Sequence, residues 1–213
     1  MQKGKGTMDS EISLDCVPTG FLAVNTYILS RQGRAVVVDP GGSPEKILGK
    51  IGGGELAAVL LTHAHFDHIG GIDALLDAFP RARFLCHPLA VQRIHDAAAN
   101  LSDMFGDPLT VRHAAEGLEG EITLAGIAFT VFFVPGHTPD HLCFYVPEKK
   151  WLFSGDALFA GGIGRSDFPG GDGELLVRGV KAMLDAVPED AAVFPGHGGA
   201  SVAGQEKRGN PYL

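Results

Sequence analysis

The sequence has few of the features that mark nucleic-acid-binding and membrane proteins. Its 213 residues carry 17 Lys and Arg against 25 Asp and Glu, a formal net charge of -8, whereas nucleic-acid-binding domains are usually basic. No apolar run is long enough to cross a bilayer, and residues 1–8 lack the apolar segment of a signal peptide. We therefore expect neither nucleic acid nor a membrane as a partner.

Cysteine is also scarce. The three cysteines, Cys16, Cys86 and Cys143, are dispersed in apolar, strand-like segments. An odd and scattered set does not fit a disulfide framework. We expect three buried free thiols and a cytoplasmic protein, because the cytoplasm keeps thiols reduced.

The length and composition indicate one domain. Hydrophobic residues make up 45% of the chain, enough for a sizeable core, and the length suits one domain, with two small domains as the alternative. We predict a disordered leader over residues 1–10 and a single domain over residues 11–213. The sequence gives no indication of the oligomeric state.

Apolar patterning predicts strands and helices in two blocks. Strands are indicated by β-branched and aromatic runs, and helices by apolar residues on one stripe. Strands are predicted over residues 12–17, 23–29, 35–38, 56–61, 83–86, 122–134, 142–146, 151–153 and 191–194, and helices over 44–51, 70–79, 88–100 and 174–186. Ser43 is expected to cap the first helix, with Pro44 in its first turn. Residues 101–120 are irregular and are expected to form a loop over a site. This pattern alone predicts an α/β fold with substantial sheet.

The segment THAHFDHIGG, residues 62–71, is the most informative part of the chain. It places three histidines and a carboxylate within six positions, directly after an apolar run: His63, His65, Asp67 and His68. Neutral imidazole and carboxylate are usual ligands of zinc, iron and manganese. Alternate side chains of extended backbone share a face, so His63 and His65 can reach the same ion. The segment therefore predicts half of a two-metal site.

Three later turns supply further candidate ligands. His137, Asp156 and His197 each follow an apolar run and are bordered by Gly or Pro, which marks a turn. Strands that end in turns at one edge of a sheet can bring distant residues together. Five histidines and two carboxylates are enough ligands for two divalent metal ions.

The ordered series HxHxDH, Gly-His, Gly-Asp and Gly-His resembles the metallo-β-lactamase superfamily. The resemblance implies a four-layer αβ/βα sandwich, with two sheets face to face and helices outside. It implies one ion on His63, His65 and His137. It implies a second ion on Asp67, His68 and His197, and an Asp156 carboxylate that bridges both. Asp39, in VVVDPG, is expected beneath the first histidine pair, and His141 is expected to support the ligands.

Two such ions, about 3.5–4 Å apart, would lower the pKa of a bridging water, polarise a carbonyl and stabilise an oxyanion. A hydroxide held between them would be the nucleophile, without a serine or cysteine. Asp67 is assigned to catalysis as well as to the metal. Zinc is the expected ion, with iron and manganese as alternatives. The expected chemistry is hydrolysis of an ester, thioester, lactone, amide or phosphoester.

Residues 158–172, which follow Asp156, resemble the glyoxalase II group, the hydroxyacylglutathione hydrolases. Arg165 stands where that group has a lysine that binds the glycine carboxylate of glutathione, and a guanidinium can hold a carboxylate in the same way. The alternative is an ion pair with Asp167, which replaces the tyrosine of the group. The chain also ends soon after His197, as in short bacterial glyoxalase II-like hydrolases without the C-terminal helical domain. We expect a small-molecule thioester substrate, S-(2-hydroxyacyl)glutathione, with the thioester better supported than glutathione.

The main alternative is a persulfide dioxygenase of the same fold, which holds a single iron by two histidines and an aspartate. Ile69-Gly70-Gly71 and the second ligand set that His197 completes favour the hydrolase. A lactonase is disfavoured by the loop after Asp156, and a secreted β-lactamase by the missing signal segment and ligand cysteine. Acidity disfavours RNA processing, and the full ligand set disfavours a non-enzymatic binding module.

Overall fold

The structure is a computed structural model that describes residues 10–213. Apart from Ser10, the predicted leader lies outside the described residues. The first sheet contains six strands in the order of the sequence: β1 (Ser13–Thr19), β2 (Val24–Arg31), β3 (Arg34–Val38), β4 (Glu55–Leu60), β5 (Arg83–Cys86) and β6 (Glu116–Gly117). The strands β1 to β3 pair antiparallel, and β3 to β6 pair parallel.

The second half of the chain forms a second sheet of six strands and a small two-stranded ribbon. Its strands are β7 (Glu121–Leu124), β8 (Ile127–Phe133), β9 (Leu142–Val146), β10 (Trp151–Gly155), the ribbon β11 (Leu158–Phe159) and β12 (Gly162–Ile163), then β13 (Ala192–Pro195) and β14 (Ser201–Val202). The order in the second sheet is β14-β13-β10-β9-β8-β7. Neighbours in it are antiparallel except for the parallel pair β10 and β13.

The helices connect these strands. They are α1 (Pro44–Ile51), α2 (Phe66–Ile69), α3 (Ile72–Ala78), α4 (Ala90–Arg93), a 3₁₀ helix (Ser102–Phe105), α5 (Gly173–Ala186) and α6 (Ala203–Gly209). Within residues 10–213, no helix has both the length and the apolar character needed to cross a membrane.

Three apolar clusters separate four layers. Alternate residues of β3 show the division: Val36 and Val38 belong to the cluster between the two sheets, and Val37 belongs to the cluster that includes Ile47 of α1 and Leu75 of α3. A third cluster lies between the second sheet and α5. Side chains of a strand alternate between its faces, so each sheet is covered by helices on one side and by the other sheet on the other. The predicted four-layer αβ/βα sandwich is confirmed.

The predicted helix over residues 88–100 is too long. Only α4, Ala90–Arg93, is helical, and turns follow it. The Asp96 carboxylate accepts the backbone N–H groups of Ala98 and Ala99. Such local side-chain bonds give the backbone an alternative to the helix, and Leu101 then takes a left-handed conformation with φ 71°.

Two further expectations are wrong. Ser43 precedes α1 but has φ 47°, in the left-handed region, and its side chain makes no capping hydrogen bond. Cys16 is exposed, whereas Cys86 and Cys143 are buried, and all three thiols are free. The loop expected over residues 101–120 holds the 3₁₀ helix and the short strand β6, and α6 was not predicted.

Replacing the true helix cap should destabilise the fold. The Asp172 carboxylate accepts the Leu175 N–H at 2.9 Å at the start of α5, so Asp172→Ala should lower the free energy of unfolding by about 1 kcal/mol. Urea denaturation measures it. Ser43→Ala is the matched control and should cost less than about 0.5 kcal/mol. Equal losses in the two variants would contradict the assignment of the caps.

Candidate metal centre

The candidate ligands lie where strands from both sheets end. His63 to His68 follow β4, His137 follows β8, Asp156 follows β10, and His197 follows β13. The strands β8, β10 and β13 run in the same direction, because β9 is antiparallel to both β8 and β10 and β13 is parallel to β10. The turns after them therefore meet at one edge of the second sheet, opposite the turn that follows β4 in the first.

Hydrogen bonds between the sheets hold these turns together. The Leu142 N–H donates to the Thr62 carbonyl oxygen at 2.7 Å, and the Asn25 N–H donates to the Gly196 carbonyl oxygen at 2.8 Å. The Asn25 side-chain amide also donates to the carbonyl oxygens of Pro195 and Gly198, at 3.0 and 2.9 Å. The turn that carries His197 is therefore fixed to a strand of the other sheet.

The first group of side chains is a compact triangle of imidazoles. His65 Nδ1 lies 3.1 Å from His63 Nε2 and 3.1 Å from His137 Nε2. Tetrahedral zinc with bonds of about 2.0–2.1 Å would place its ligand nitrogens roughly 3.3 Å apart. The predicted first ligand set, His63, His65 and His137, is thus brought together with ring nitrogens that converge.

The second group combines a carboxylate with two imidazoles. Asp67 Oδ2 lies 3.7 Å from His68 Nε2 and 3.2 Å from His197 Nε2. These three residues are those predicted for the second ion, and their ligand atoms also lie close enough together to share one.

Asp156 lies between the two groups. Its Oδ1 is 3.5 Å from His68 Nε2, and its Oδ2 is 3.8 Å from His137 Nε2 and 3.6 Å from His197 Nε2. Its two oxygens together face imidazoles of both groups, as those of a bridging ligand would.

Unpaired polar atoms in the cluster fit metal ions. His68 Nε2 and Asp156 Oδ1 are buried and have no hydrogen-bond partner, and such atoms are costly to bury unless something binds them. A Cβ on Gly196 would collide with Asp156 Oδ1, so only glycine leaves room beside this oxygen. Imidazole nitrogens and carboxylate oxygens are suitable donors for divalent zinc, iron or manganese.

Outer hydrogen bonds aim the imidazole lone pairs into the cluster. In four of the histidines Nδ1 faces an oxygen that accepts its hydrogen, which leaves Nε2 with its lone pair toward the ligand atoms. The acceptors are Thr62 Oγ1 for His63 at 3.0 Å, Asp39 Oδ2 for His68 at 2.9 Å, the Arg165 carbonyl oxygen for His137 at 2.7 Å and the Leu22 carbonyl oxygen for His197 at 3.2 Å. The rings are thus oriented as metal-binding histidines are.

The protonation states also suit a metal. Burial lowers the pKa of His63 well below its usual value and that of His65 to about 3, so both rings are neutral near pH 7, as metal binding requires. Burial opposes the ionised forms of Asp67 and Asp156, but the surrounding histidines, His68 foremost, together outweigh it and lower the pKa of both carboxyls. Burial likewise opposes the charged forms of His68 and His197, but the nearby carboxylates together outweigh it and raise the pKa of both imidazoles, that of His68 well above its usual value. In the protein alone, ionised carboxylates therefore face a protonated His68, and a metal ion at the second group would take the place of its proton.

Asp39 lies against the turn that follows β4. Its carboxylate accepts the Thr62 N–H and hydroxyl, both at 2.7 Å, and the His68 Nδ1–H. It therefore contacts His68 directly, and it reaches His63, of the first histidine pair, through Thr62. Its support of the metal ligands stays a prediction.

His141 lies beside the cluster. Its Nε2 accepts the backbone N–H of Asp156 at 3.1 Å, and its ring stacks on His63 with centroids 4.9 Å apart. Burial lowers the pKa of His141 well below its usual value, so the ring is neutral and keeps the lone pair that accepts this hydrogen bond.

Asp140 is a supporting residue that sequence reasoning missed. It is fully buried, its Oδ2 accepts the Ala64 N–H at 2.9 Å, and its Oδ1 lies 3.0 Å from Arg93 Nε. Ala64 is the residue between His63 and His65. The signal available in the sequence was an aspartate inside the string PGHTPDH, next to His141.

A cavity of about 380 Å³ lies above the ligands and reaches Arg165. The Arg165 guanidinium does not point free into it. Its Nε and Nη2 donate to the two carboxylate oxygens of Asp167 at 2.6 and 2.7 Å, and the group lies 4.0 Å from the ring centroid of Phe168. The side chain thus forms the alternative ion pair, whereas the Arg165 carbonyl oxygen contacts His137.

The chain is similar to known proteins over nearly its whole length. Residues 19–197 match the family model described as metallo-beta-lactamase superfamily. The chain is 35% identical over 214 residues to the hydroxyacylglutathione hydrolase GloC of Haemophilus influenzae. The alignment covers 95% of this chain and 98% of that protein.

Two solved structures are similar to it as well. The first is the B3 metallo-beta-lactamase BLEG-1, with 36% identity, a TM-score of 0.89 and coverage of 94% of this chain and 99% of that one. The second is TTHA1623 in a di-iron-bound form, with 37% identity, a TM-score of 0.83 and coverage of 93% and 100%.

Removing the Asp140 carboxylate should weaken metal binding by His63 and His65, the first histidine pair. Asp140→Ala leaves the Ala64 N–H without its acceptor and the Arg93 guanidinium without its carboxylate, so it should destabilise the fold by about 3 kcal/mol and weaken metal binding about 10- to 100-fold. Thermal unfolding and metal titration measure the two effects. Asp140→Asn keeps an acceptor for the Ala64 N–H and should bind metal better than Asp140→Ala. Wild-type metal affinity in the folded Asp140→Ala variant would show that Asp140 does not position the ligands.

Proposed function

Because the chain belongs to the metallo-β-lactamase superfamily, as its motifs indicated, we propose that it is a binuclear metal-dependent hydrolase that cleaves a thioester. The observation that carries the proposal is the set of four histidines whose Nδ1 atoms are hydrogen-bonded outward while their Nε2 atoms converge around Asp156. Histidines that served only to pack the core would not need to direct unpaired lone pairs into a buried cluster.

The proposed ligands form two overlapping sets. The first ion is assigned to His63, His65 and His137. The second is assigned to Asp67, His68 and His197, with Asp156 shared between the sets. The convergence of each set supports two ions, and a similar protein of almost the same length was solved with two irons. Zinc is the ion we propose, and iron and manganese are the alternatives.

Bound metal ions would lower the pKa of a water molecule and polarise the substrate carbonyl. The residues of the chain do the positioning. Asp67 lines the cavity, and its lowered pKa keeps it ionised at neutral pH. We assign it a catalytic role, because an ionised carboxylate there can accept a hydrogen bond from the attacking water. The Asp67 Oδ2 lies 3.2 Å from His197 Nε2, close enough for the two side chains to share the second ion.

The proposed reaction adds water across an acyl carbon–sulfur bond. The water oxygen bonds to the acyl carbon, the carbon–sulfur bond breaks, and the sulfur leaves with the electron pair and takes up a proton. The products are a carboxylic acid and a thiol. The similarity to GloC supports an S-(2-hydroxyacyl)glutathione as the substrate.

A β-lactam is the second candidate substrate. The observation that favours it is the similarity to the B3 enzyme BLEG-1, which matches this chain about as closely in identity as GloC does. The persulfide dioxygenase is less well supported, because a single iron would leave the convergent group of Asp67, His68 and His197 without a function.

The free cysteines agree with a reducing compartment. Cys16, Cys86 and Cys143 form no disulfide in the structure. We therefore propose a cytoplasmic enzyme that acts on a small molecule.

Metal-replete protein should release thiol from S-lactoylglutathione, and a chelator should reduce that rate at least about 100-fold, because each ligand set loses its ion. A thiol-reactive dye measures the release, and adding back the metal should restore it. A chromogenic β-lactam, assayed in parallel, tests the second candidate. Thiol release that persists after complete metal removal would contradict the proposed function.

A further inference from the structure

A second cavity adjoins the one above the candidate ligands. It has a volume of about 330 Å³, and three residues, Phe66, Asp67 and Phe105, line both cavities. The rings of Phe66 and Phe105 are 4.7 Å apart between centroids. A substrate whose reacting carbonyl lies above the ligands can therefore extend past this ring pair into the second cavity.

Within the described residues, the second cavity is lined mostly by glycine, phenylalanine and leucine, with no lysine, arginine or histidine. Its remaining lining residues are Gly20, Phe21, Gly41, Gly70, Asp107 and Leu109. Of its two carboxylates, Asp67 is assigned to the second ion, and Asp107 is not. An anionic group would be repelled there, whereas an uncharged hydrocarbon would lose its contact with water.

In residues 10–213, the first cavity has no free lysine or arginine either. Arg165 is the one such residue of this range that lines it, and both oxygens of Asp167 already hold its guanidinium. A glutathione carboxylate would have to displace Asp167 to bind Arg165. Among the described side chains, neither cavity thus offers a free guanidinium or ammonium group for the carboxylates of glutathione.

Exposed aromatic side chains lie at the second cavity. Phe21 is 74% exposed and Phe105 is 53% exposed, and the Phe21 ring stacks on Phe66 with centroids 6.0 Å apart. Apolar side chains that cluster at a cavity, rather than being scattered over the surface, are typical of a ligand-binding surface.

We propose that the second cavity binds an uncharged, apolar acyl group, so that the enzyme prefers thioesters of aromatic or branched aliphatic acids to S-lactoylglutathione. The acyl arm is assigned to this cavity because glutathione, the thiol arm, is anionic and would meet the Asp107 carboxylate and an otherwise apolar lining. The inference rests on the proposed thioesterase function and on the same reaction, which gives an apolar carboxylic acid and a free thiol.

Four thioesters test the proposal: lactoyl and phenylacetyl esters, each of glutathione and of neutral N-acetylcysteamine. With metal-replete protein, the phenylacetyl esters should have a kcat/KM at least about tenfold above the lactoyl esters. Glutathione should give no advantage over N-acetylcysteamine. A higher kcat/KM for S-lactoylglutathione than for the other three would overturn this inference and leave the proposed function standing. Chelator-sensitive hydrolysis of none of the four would overturn the proposed function, and the inference with it.

Variants of the second cavity separate binding from folding. Leu109 is half-buried and also packs against the core, so partial unfolding of Leu109→Asp would lower kcat/KM for all four esters alike. The carboxylate that it adds to the cavity should lower kcat/KM about tenfold for the phenylacetyl esters, with a small effect on the lactoyl esters. Phe21→Ala alters an exposed side chain that the core does not need and should reduce the same preference. Leu89→Asp is the matched control, since Leu89 is 54% exposed and lines neither cavity, and it should keep the wild-type preference. An unchanged preference in both cavity variants would overturn the proposal.

Discussion

The Asp156 carboxylate is the group on which the rest of the site depends, because its oxygens face imidazoles that come from both sheets. Oδ1 faces His68 of the first half of the chain, and Oδ2 faces His137 and His197 of the second half. In the protein alone these atoms lie farther apart than hydrogen bonds require, and Oδ1 has no partner. Burying such a group is unfavourable unless a cation binds it. The sandwich thus brings together polar atoms that a metal completes.

The outer hydrogen bonds link the ligands to the walls of the cavity. His137 is held by the carbonyl oxygen of Arg165, and His197 by that of Leu22. Both of these residues also line the cavity above the ligands. The backbone segments that line this cavity therefore also orient two of the candidate ligands. In the first half of the chain, the buried Asp39 carboxylate orients the His68 ring by accepting its Nδ1–H.

Local patterns predicted the α/β class, including the apolar stripe on α5, and placed each candidate ligand in a turn directly after an apolar strand. The four layers were predicted by the resemblance, which rests on the order of the histidine and aspartate motifs. Other features depend on contacts that no local pattern shows. The role of Asp140 follows from a hydrogen bond to a residue 76 positions away, and Ser43 fails as a cap because of its backbone conformation. Asp167 was visible in the sequence two residues after Arg165. Whether the Arg165 guanidinium pairs with Asp167 or binds a substrate carboxylate depends on how the loop folds.

The number of ions per chain tests the account most directly. Metal analysis of the purified, metal-replete protein by mass spectrometry should give two ions per chain for the wild type and for Asp167→Ala, a control carboxylate outside the ligand sets. Asp156→Ala should retain one ion or none, because it removes the ligand that both sets share. One ion per chain in the wild type, or two in Asp156→Ala, would contradict a binuclear site bridged by Asp156.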